Sequence, residues 1–304
     1  MRRLYANLLL LTAALIWGVT FSIQQMAMRH IGPITFTGLR FLMGAAAVLP
    51  FALAEARAKR RNGWRLEPAA LPWLALTGSV LFSAALLQQI GIAGTSVANA
   101  GFLTALYVPL TPILGFLVLR HAPHPAIWAA AAACVAGAYL MSGGALDTLR
   151  EGDAWVLAGS VFWACHILLI GAMTARLGAP FVISCVQFAV CGALGTVWGL
   201  TGEPFHWGMA VAAWPMLAFS GLMSVGVGFT LQVVGQRHTP AADASIILSG
   251  ETVFAAIAGA ILLGERLSPL ELQGCALILG GVLAVELLPL TLGRLKRPRP
   301  LDAP

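Results

Sequence analysis

The stretch LIWGVTFSIQQM, residues 15–26, carries no charge and lies inside an uncharged run that extends from residue 4 to residue 28. A helix needs about 20 mainly apolar residues to cross roughly 30 Å of hydrocarbon, so the run predicts a membrane-spanning helix. A secretory signal has a hydrophobic region of only about 7 to 15 residues and a cleavage site of small residues. The run is longer and contains no such site. The two amides near its end, Gln24 and Gln25, need a separate explanation.

The composition extends this conclusion to the whole chain. Of its 304 residues, 59% are hydrophobic and 10% are charged, and the mean hydropathy is +0.85, far outside the range of soluble domains. The same length criterion predicts an all-α polytopic membrane protein with ten transmembrane helices, at 5–27, 34–54, 70–92, 97–119, 126–143, 154–175, 181–200, 213–234, 242–263 and 271–290. The loops between them are short, and no segment is left for a soluble domain.

The basic residues predict the orientation, because cytoplasmic loops of membrane proteins accumulate Lys and Arg. With the amino terminus inside, most of the 18 Lys and Arg residues fall on the cytoplasmic side, including the cluster at 57–65, whereas Glu151 and Glu203 fall outside. We therefore expect both termini to be cytoplasmic. The net charge of +6 then reflects topology and does not indicate a nucleic-acid partner.

The chain contains an internal repeat that begins in the opening stretch. LIWGVTFSIQQMAMRHIGP, residues 15–33, aligns with VFWACHILLIGAMTARLGA, residues 161–179, so that Trp17 matches Trp163. Further along, ANAGFL of span 4 matches ADASII of span 9. Each half has five predicted spans, an odd number, so the second half must enter the membrane upside down. Inverted repeats of this kind are typical of transporters, with the binding site near the membrane midplane where the halves meet.

The predicted domain organisation follows the repeat. Residues 1–145 form the first five-helix unit, residues 152–291 the second, inverted unit, and residues 292–304 a basic cytoplasmic tail. The charges agree with the inversion, because the loop after span 2 carries five Lys or Arg residues and its counterpart after span 7 carries none.

Four segments carry a family resemblance. They are LIWGVTF in span 1, TGLRFLMGAA in span 2, ANAGFLTALYVPLTPILGFLVL in span 4 and ADASIILSGETVFAAIAGAILLGERLSPLELQGCALILGGVL across spans 9 and 10. These segments resemble the drug/metabolite transporter superfamily, in the branch with two EamA-type repeats, and the resemblance covers essentially all ten spans. It implies a ten-helix carrier of a bacterial inner membrane, similar to bacterial exporters of amino acids, other metabolites or drugs.

Two positions depart from the family pattern. Thr252 follows Glu251 where relatives often have proline, which leaves open whether span 9 is kinked. His121 stands where the first repeat often has the glutamate of its own GE-R motif, and we expect this change to affect only a loop.

Polar side chains near mid-membrane indicate a site, because an ionisable group there is costly unless it faces a cavity or a partner. Glu251 lies about nine residues into span 9, or roughly 13 Å at 1.5 Å per residue, and His166 and Tyr107 lie at similar depth in their spans. Trp17 and Trp163 are also central, whereas tryptophan in membrane proteins usually lies at the interfaces. We expect an aromatic-walled substrate cavity with one carboxylate and one imidazole.

These side chains also have structural interpretations. The two tryptophans could pack between the repeats, the Tyr107 hydroxyl could bind a neighbouring helix, and His166 could satisfy a backbone carbonyl. Glu251 could pair with Arg40, which could instead extend to the interface. Asp243, near the cytoplasmic end of span 9, could cap that helix or line an inner vestibule. Arg40, Glu251 and Asp243 are thus candidates for a coupling or a structural ion pair.

The glutamines lie near the outer ends of their spans, Gln24 and Gln25 in span 1 and Gln88 in span 3. Amides can hydrogen-bond across helices, worth about 0.6–2 kcal/mol per contact, which is the simplest interpretation. Trp17 and Phe21 share a stripe of span 1 with Gln24 or Gln25, so we expect at least one of the two amides to line a vestibule. We assign Gln24 and Gln88 to the cavity wall.

Motifs for other functions are absent from the sequence. It contains no G-x-x-x-x-G-K-[ST] loop, no H-E-x-x-H and no G-x-S-x-G, so we expect neither an ATPase nor an intramembrane enzyme, and no cofactor. Its five cysteines are scattered through apolar spans without a C-x-x-C, which argues against a metal site.

We therefore expect a secondary transporter that exports small organic metabolites, aromatic or large neutral amino acids in particular, by alternating access through a central cavity between the repeats. A multidrug or other metabolite efflux carrier and a passive, channel-like facilitator remain open. The expected partners are a small-molecule solute and the lipid bilayer. The sequence leaves the oligomeric state open.

Overall fold

The structure, a computed structural model, describes residues 3–95, 97–120, 124–141, 151–262 and 268–291. The first half contains α1 (Arg3–Ala27), α2 (Pro33–Arg61), a 3-10 turn (Pro68–Ala70), α3 (Leu71–Gly94), α4 (Val97–Ala105), α5 (Tyr107–Leu119) and α6 (Pro125–Met141). The second contains α7 (Glu151–Leu177), α8 (Pro180–Gly202), α9 (Trp207–Ala212), α10 (Trp214–Ala218), a π-helix (Phe219–Phe229), α11 (Thr230–Gln236), α12 (Ala241–Leu248), α13 (Glu251–Leu262) and α14 (Pro269–Thr291). The predicted basic tail, 292–304, lies outside the described residues, and the predicted unit boundaries stay a prediction.

The membrane-spanning segments lie where the sequence predicts them. Eight segments are long and apolar enough to cross a membrane: Arg3–Ala27, Pro33–Arg61, Pro68–Gly94, Ala100–Val118, Glu151–Leu177, Pro180–Gly202, Trp214–Gln236 and Ala241–Ala258. Two shorter apolar helices, Pro125–Met141 and Pro269–Ala284, fall at the predicted spans 5 and 10. The predicted all-α polytopic fold with ten membrane helices is confirmed.

The course of the helices makes the second repeat inverted. α1 begins at Arg3, whose guanidinium pairs with Asp243 at the start of α12; we call this the basic end, because α2 also finishes there with the cluster at 57–65. α3 runs away from the basic end and finishes at the opposite end, where Thr95 donates a hydrogen bond to Asp153 in the first turn of α7. The first helix of each repeat therefore begins at a different end of the bundle.

α2 and α8 form an antiparallel pair in which each helix caps the other. Both begin with proline, and neither is capped by the side chain of the residue before it. Glu203, just after α8, accepts hydrogen bonds from Ile34 N (2.9 Å), Thr35 N (2.8 Å) and Thr35 Oγ1 (2.7 Å) at the start of α2. At the basic end, Glu55 of α2 accepts one from Val182 N (3.0 Å) at the start of α8. The first N–H groups of a helix have no partner within the helix, so these carboxylates satisfy groups that would otherwise lack one.

Equivalent polar contacts join the two repeats at both ends. At the basic end, Thr239 Oγ1 donates to Asn7 Oδ1 (2.6 Å), and at the opposite end Thr95 Oγ1 donates to Asp153 Oδ1. The repeat alignment pairs Asn7 with Asp153 and Thr95 with Thr239. The same contact therefore occurs at both ends of the bundle: a threonine hydroxyl donates to the amide of Asn7 at the basic end and to the carboxylate of Asp153 at the opposite end.

The fourth helix of repeat 1 is broken near its middle. α4 ends at Ala105 and α5 begins at Tyr107, with Leu106 between them. Pro109 has no N–H to donate to the carbonyl of Ala105, and its ring crowds that carbonyl, which explains the break.

The fourth helix of repeat 2 is broken at the equivalent place without a proline. α12 ends at Leu248 and α13 begins at Glu251. Between them, Ser249 Oγ donates to a carbonyl of the preceding turn (2.7 Å), and Thr252 N bonds to Ser249 O, three residues back (3.1 Å). Hydroxyl side chains that bind nearby carbonyls compete with the helical hydrogen bonds. Thr252 at the family's proline position therefore does not prevent the break, whereas His121, the other departure, lies outside the described residues.

The eighth span contains a π-helix, Phe219–Phe229, whereas its counterpart in repeat 1, α3, is an α-helix. The glycines of this segment allow close packing: a Cβ at Gly228 would lie 2.8 Å from Trp17 Nε1. The same indole N–H donates to Ser224 O (3.2 Å) inside the π-helix. π-helical turns occur frequently at functional sites, and this one lies beside the cavity.

Candidate functional site

A cavity lies between the two repeats in the part of the chain that the structure describes. The space between its lining atoms, including the part open to solvent, is about 510 Å³. Its lining comes from both repeats: Trp17, Phe21, Gln24, Arg40, Gln88, Thr104, Tyr107, Trp163, Ile167, Ser224, Phe229, Gln232, Leu248 and Glu251. Six predicted cavity residues are among them: Trp17, Gln24, Gln88, Tyr107, Trp163 and Glu251.

The aromatic part of the wall is centred on Phe229, at the end of the π-helix. Its ring centroid lies 4.6 Å from that of Trp17 and 5.8 Å from that of Trp163, with the Trp163 ring stacked at 16°. Trp163 Nε1 donates to Gln88 Oε1 (2.6 Å). Because each indole N–H is bonded, both tryptophans are fixed in orientation and can present an apolar surface to a solute.

The acidic part of the wall lies at the two helix breaks. Tyr107 Oη donates to Glu251 Oε1 (3.3 Å), and both side chains are buried. The two residues are the first of α5 and α13, and they are equivalent in the repeat alignment of spans 4 and 9. Discontinuous helices at the interface of inverted repeats are where transporters commonly form their binding sites.

The basic part of the wall is Arg40 of α2. Its side chain is buried and does not extend to the interface. No ion pair within 4.0 Å joins it to Glu251 or to any other carboxylate that the structure describes. Its guanidinium carbon lies over Phe36 and Phe41, 5.4 and 5.2 Å from the ring centroids. The cavity therefore contains a basic and an acidic side chain that do not form a direct ion pair with each other.

The glutamine pair of the opening stretch is divided between two environments. Gln24 is buried and lines the cavity, whereas Gln25 is exposed on the helix surface. Several buried polar atoms of the lining have no hydrogen-bond partner among the described residues: Gln24 Oε1, Arg40 Nε, Thr104 Oγ1 and Gln232 Oε1. Buried polar groups are rarely left without a partner, so this lining is suited to a polar solute or to water.

Two predicted site residues do not line the cavity. His166 is fully buried behind the aromatic wall, where Nε2 lies 2.8 Å from Gln187 Oε1 and the ring stands edge-on to Trp163 at 5.9 Å. Asp243 lies at the basic end, paired with Arg3 in the first turn of α12. The structure therefore separates Asp243 from Arg40 and Glu251, with which the sequence grouped it.

Sequence reasoning missed Phe229, although it touches both tryptophans. It ends the stretch VGVGF, residues 225–229, which contains no charge or amide, and the alignment of spans 3 and 8 places it opposite Leu86, so the repeat gives no signal. The glycines of GVGF were the one local indication of close packing.

The arrangement is suited to binding. The described residues contain no group of three or more His, Cys, Asp or Glu side chains that could hold a metal ion. The cavity offers an apolar wall, one basic and one acidic side chain, and several amide and hydroxyl groups.

Ten membrane helices in two inverted repeats, with a cavity where the repeats meet, define a membrane transporter. The chain belongs to the EamA-like transporter family, whose model matches residues 4–143 and 150–287. The resemblance seen in the sequence is thereby confirmed.

Several known proteins are similar to the chain. An uncharacterized transporter of Archaeoglobus fulgidus is 30% identical over 287 residues, which cover 94% of this chain and 87% of the relative. The uncharacterized transporter YwfM of Bacillus subtilis is 25% identical over 288 residues, 93% of this chain and 94% of the relative. The threonine/homoserine exporter RhtA of Escherichia coli is 27% identical over 144 residues, 45% of this chain and 44% of the relative.

A solved crystal structure shares the fold. It superposes with a TM-score of 0.78 at 22% sequence identity and covers 96% of this chain and 100% of its own.

Proposed function

We propose that this transporter exports small organic metabolites, with aromatic and large neutral amino acids as the favoured class, by alternating access of the cavity to the two faces of the membrane. The observation that carries the proposal is the cavity between the repeats, walled by Trp17, Trp163 and Phe229 and supplied with a few polar groups. An amphipathic solute gains from burial and stacking on such a wall, while polar groups hold its head.

The partial similarity to a threonine/homoserine exporter supports the amino-acid class. The aromatic wall favours larger side chains than threonine within that class, because a large apolar side chain buries more surface against the rings.

Counterflow in proteoliposomes tests the proposal. Vesicles loaded with an unlabelled amino acid are diluted into labelled amino acid, and a carrier produces transient, saturable accumulation of label. A panel of twenty amino acids and several amphipathic drugs identifies the preferred class. Unsaturable flux would instead indicate a channel-like facilitator, and a preference for the drugs would indicate a multidrug carrier.

Trp163→Ala provides the residue-level test. It removes the stacked ring, so transport of aromatic solutes should fall much more than transport of aliphatic ones. Trp207→Ala is the matched control, because Trp207 lies outside the cavity and is 77% exposed. Equal loss for aromatic and aliphatic solutes in Trp163→Ala would make the indole a packing element only.

A further inference from the structure

We propose that the cavity recognises a zwitterion, with the Arg40 guanidinium binding the solute's carboxylate and the Glu251 carboxylate binding its ammonium group. The inference rests on the proposed function, since it takes the cavity to be the solute site. It adds the charge pattern of the solute and the residue that reads each charge.

The first observation is the unneutralised charge of Arg40. Its side chain is 4% exposed, its Nε has no partner among the described residues, and its guanidinium lies over the faces of two phenylalanines. A buried charge without an opposite charge is costly, and cation–π contacts offset only part of that cost. A planar guanidinium matches a carboxylate with two parallel hydrogen bonds, so a carboxylate is the ligand chemistry that best fits this group.

The second observation is the half-satisfied carboxylate of Glu251. One oxygen accepts the Tyr107 hydroxyl at 3.3 Å, and no Lys or Arg of the described residues lies within 4.0 Å of either oxygen. Glu251 is 5% exposed and lines the same cavity as Arg40. An ammonium group can donate three hydrogen bonds and carries the opposite charge, so it suits the oxygen that Tyr107 leaves free.

The third observation is that these two side chains line one cavity without forming an ion pair. A simple anion would satisfy only Arg40, and a simple cation only Glu251. A solute that carries both charges satisfies both residues at once, and its apolar part can then lie on the rings of Trp17, Trp163 and Phe229. An amino acid with a free carboxylate and a free ammonium group has this chemistry.

Three probes that share a benzyl group and differ in their charged groups test the inference: L-phenylalanine, L-phenylalaninamide, which lacks the carboxylate, and 3-phenylpropionate, which lacks the ammonium group. Uptake of each is measured in the same proteoliposome batch with wild-type protein. We expect L-phenylalanine to exceed each analogue by at least about tenfold, because a site built around a polar group rejects solutes that lack it.

The variants must separate the two charges. Arg40→Gln should bring the ratio of L-phenylalanine to its amide close to one and leave the ratio to 3-phenylpropionate high. Glu251→Gln should do the reverse. Each ratio is taken within one batch, so it does not depend on how much of the variant folds. Gln89→Leu is the matched control: Gln89 is fully buried next to Gln88 but is not part of the cavity lining, so both ratios should stay at wild-type values.

If Arg40→Gln does not fold, Arg40→Lys replaces it. Lysine keeps the charge but loses the bidentate geometry, so the ratio to the amide should fall less, and the ratio to 3-phenylpropionate should not change. Equal wild-type transport of all three probes, or the same change of both ratios in both charge variants, overturns the zwitterion inference while the transporter stands. Absence of saturable transport for every amino acid and drug of the panel overturns the proposed function itself.

Discussion

The carboxylate of Glu203 provides the sharpest stability prediction. It accepts three hydrogen bonds from the start of α2, donated by Ile34 N (2.9 Å), Thr35 N (2.8 Å) and Thr35 Oγ1 (2.7 Å). These bonds connect the end of α8 to the first turn of its partner helix. Glu203→Ala removes all three. We expect the substitution to lower the free energy of unfolding without changing any residue of the cavity.

The magnitude follows from the three bonds and from their exposure. A hydrogen bond to a charged group contributes about 1.5–3 kcal/mol when buried, and the loss of a helix N-cap typically costs about 0.5–2 kcal/mol. Glu203 is half-buried, so water can replace part of what is lost. We therefore expect a loss of about 1–2 kcal/mol for Glu203→Ala, and about half of this for Glu203→Gln, which keeps one acceptor oxygen.

Thermal unfolding of the detergent-solubilised protein, followed by tryptophan fluorescence, measures the effect. Glu67→Ala is the control, because Glu67 forms an exposed ion pair with Arg176 (3.3 Å), and exposed pairs contribute little. Gly32→Ala should mimic Glu203→Ala, since a Cβ at Gly32 would lie 2.3 Å from Glu203 Oε2 and displace the carboxylate. An unchanged midpoint for Glu203→Ala, or fully additive losses in the double variant with Gly32→Ala, would refute the reasoning.

Three further predictions concern function and topology. Gly18→Leu should abolish transport, because even a Cβ at Gly18 would lie 2.7 Å from the carbonyl oxygen of Glu251, whereas Gly280→Leu, with no atom within 4 Å of its Cβ, should transport normally. Tyr107→Phe should lower transport while reducing stability by no more than about 1 kcal/mol, since it removes a single 3.3 Å hydrogen bond; a stability loss without a transport defect contradicts it. In a cysteine-free background, a cysteine at Asn62 should react with an impermeant reagent only from the cytoplasm and one at Thr201 only from outside; the reverse pattern would contradict the predicted orientation.

The sequence was most informative about the fold, because hydrophobic length and loop charge act locally along the chain. The ten spans and the inversion follow from these signals and from the odd number of spans in each half. The break in span 4 is also readable, since Pro109 cannot continue the helical hydrogen bonds. The break at Ser249 and the π-helix at 219–229 cannot be predicted from the sequence in this way. They depend on side-chain hydrogen bonds and on the packing of Gly228 against Trp17, which become visible only in three dimensions.

The residues of the site could be predicted only in part from the sequence, for a related reason. Ionisable and aromatic residues near mid-membrane are rare enough to notice, which is why Glu251 and Tyr107 were singled out. Whether such a residue faces the cavity or the bundle interior depends on the rotation of its helix. His166 and Trp163 are three residues apart on α7, yet the structure places one behind the wall and the other in it.

The two repeats are alike at their ends and different at their centre, and the difference bears on which solute the cavity can bind. At the ends, Thr95 and Thr239 make the same contact twice. At the centre, the equivalent residues of spans 4 and 9 are Tyr107 and Glu251, and only repeat 2 contains a π-helix. Two identical half-sites related by a twofold axis would offer the same groups to each charge of a solute. The carboxylate and the ammonium group of an amino acid need different partners, so a cavity that binds both has to break the symmetry that the scaffold keeps.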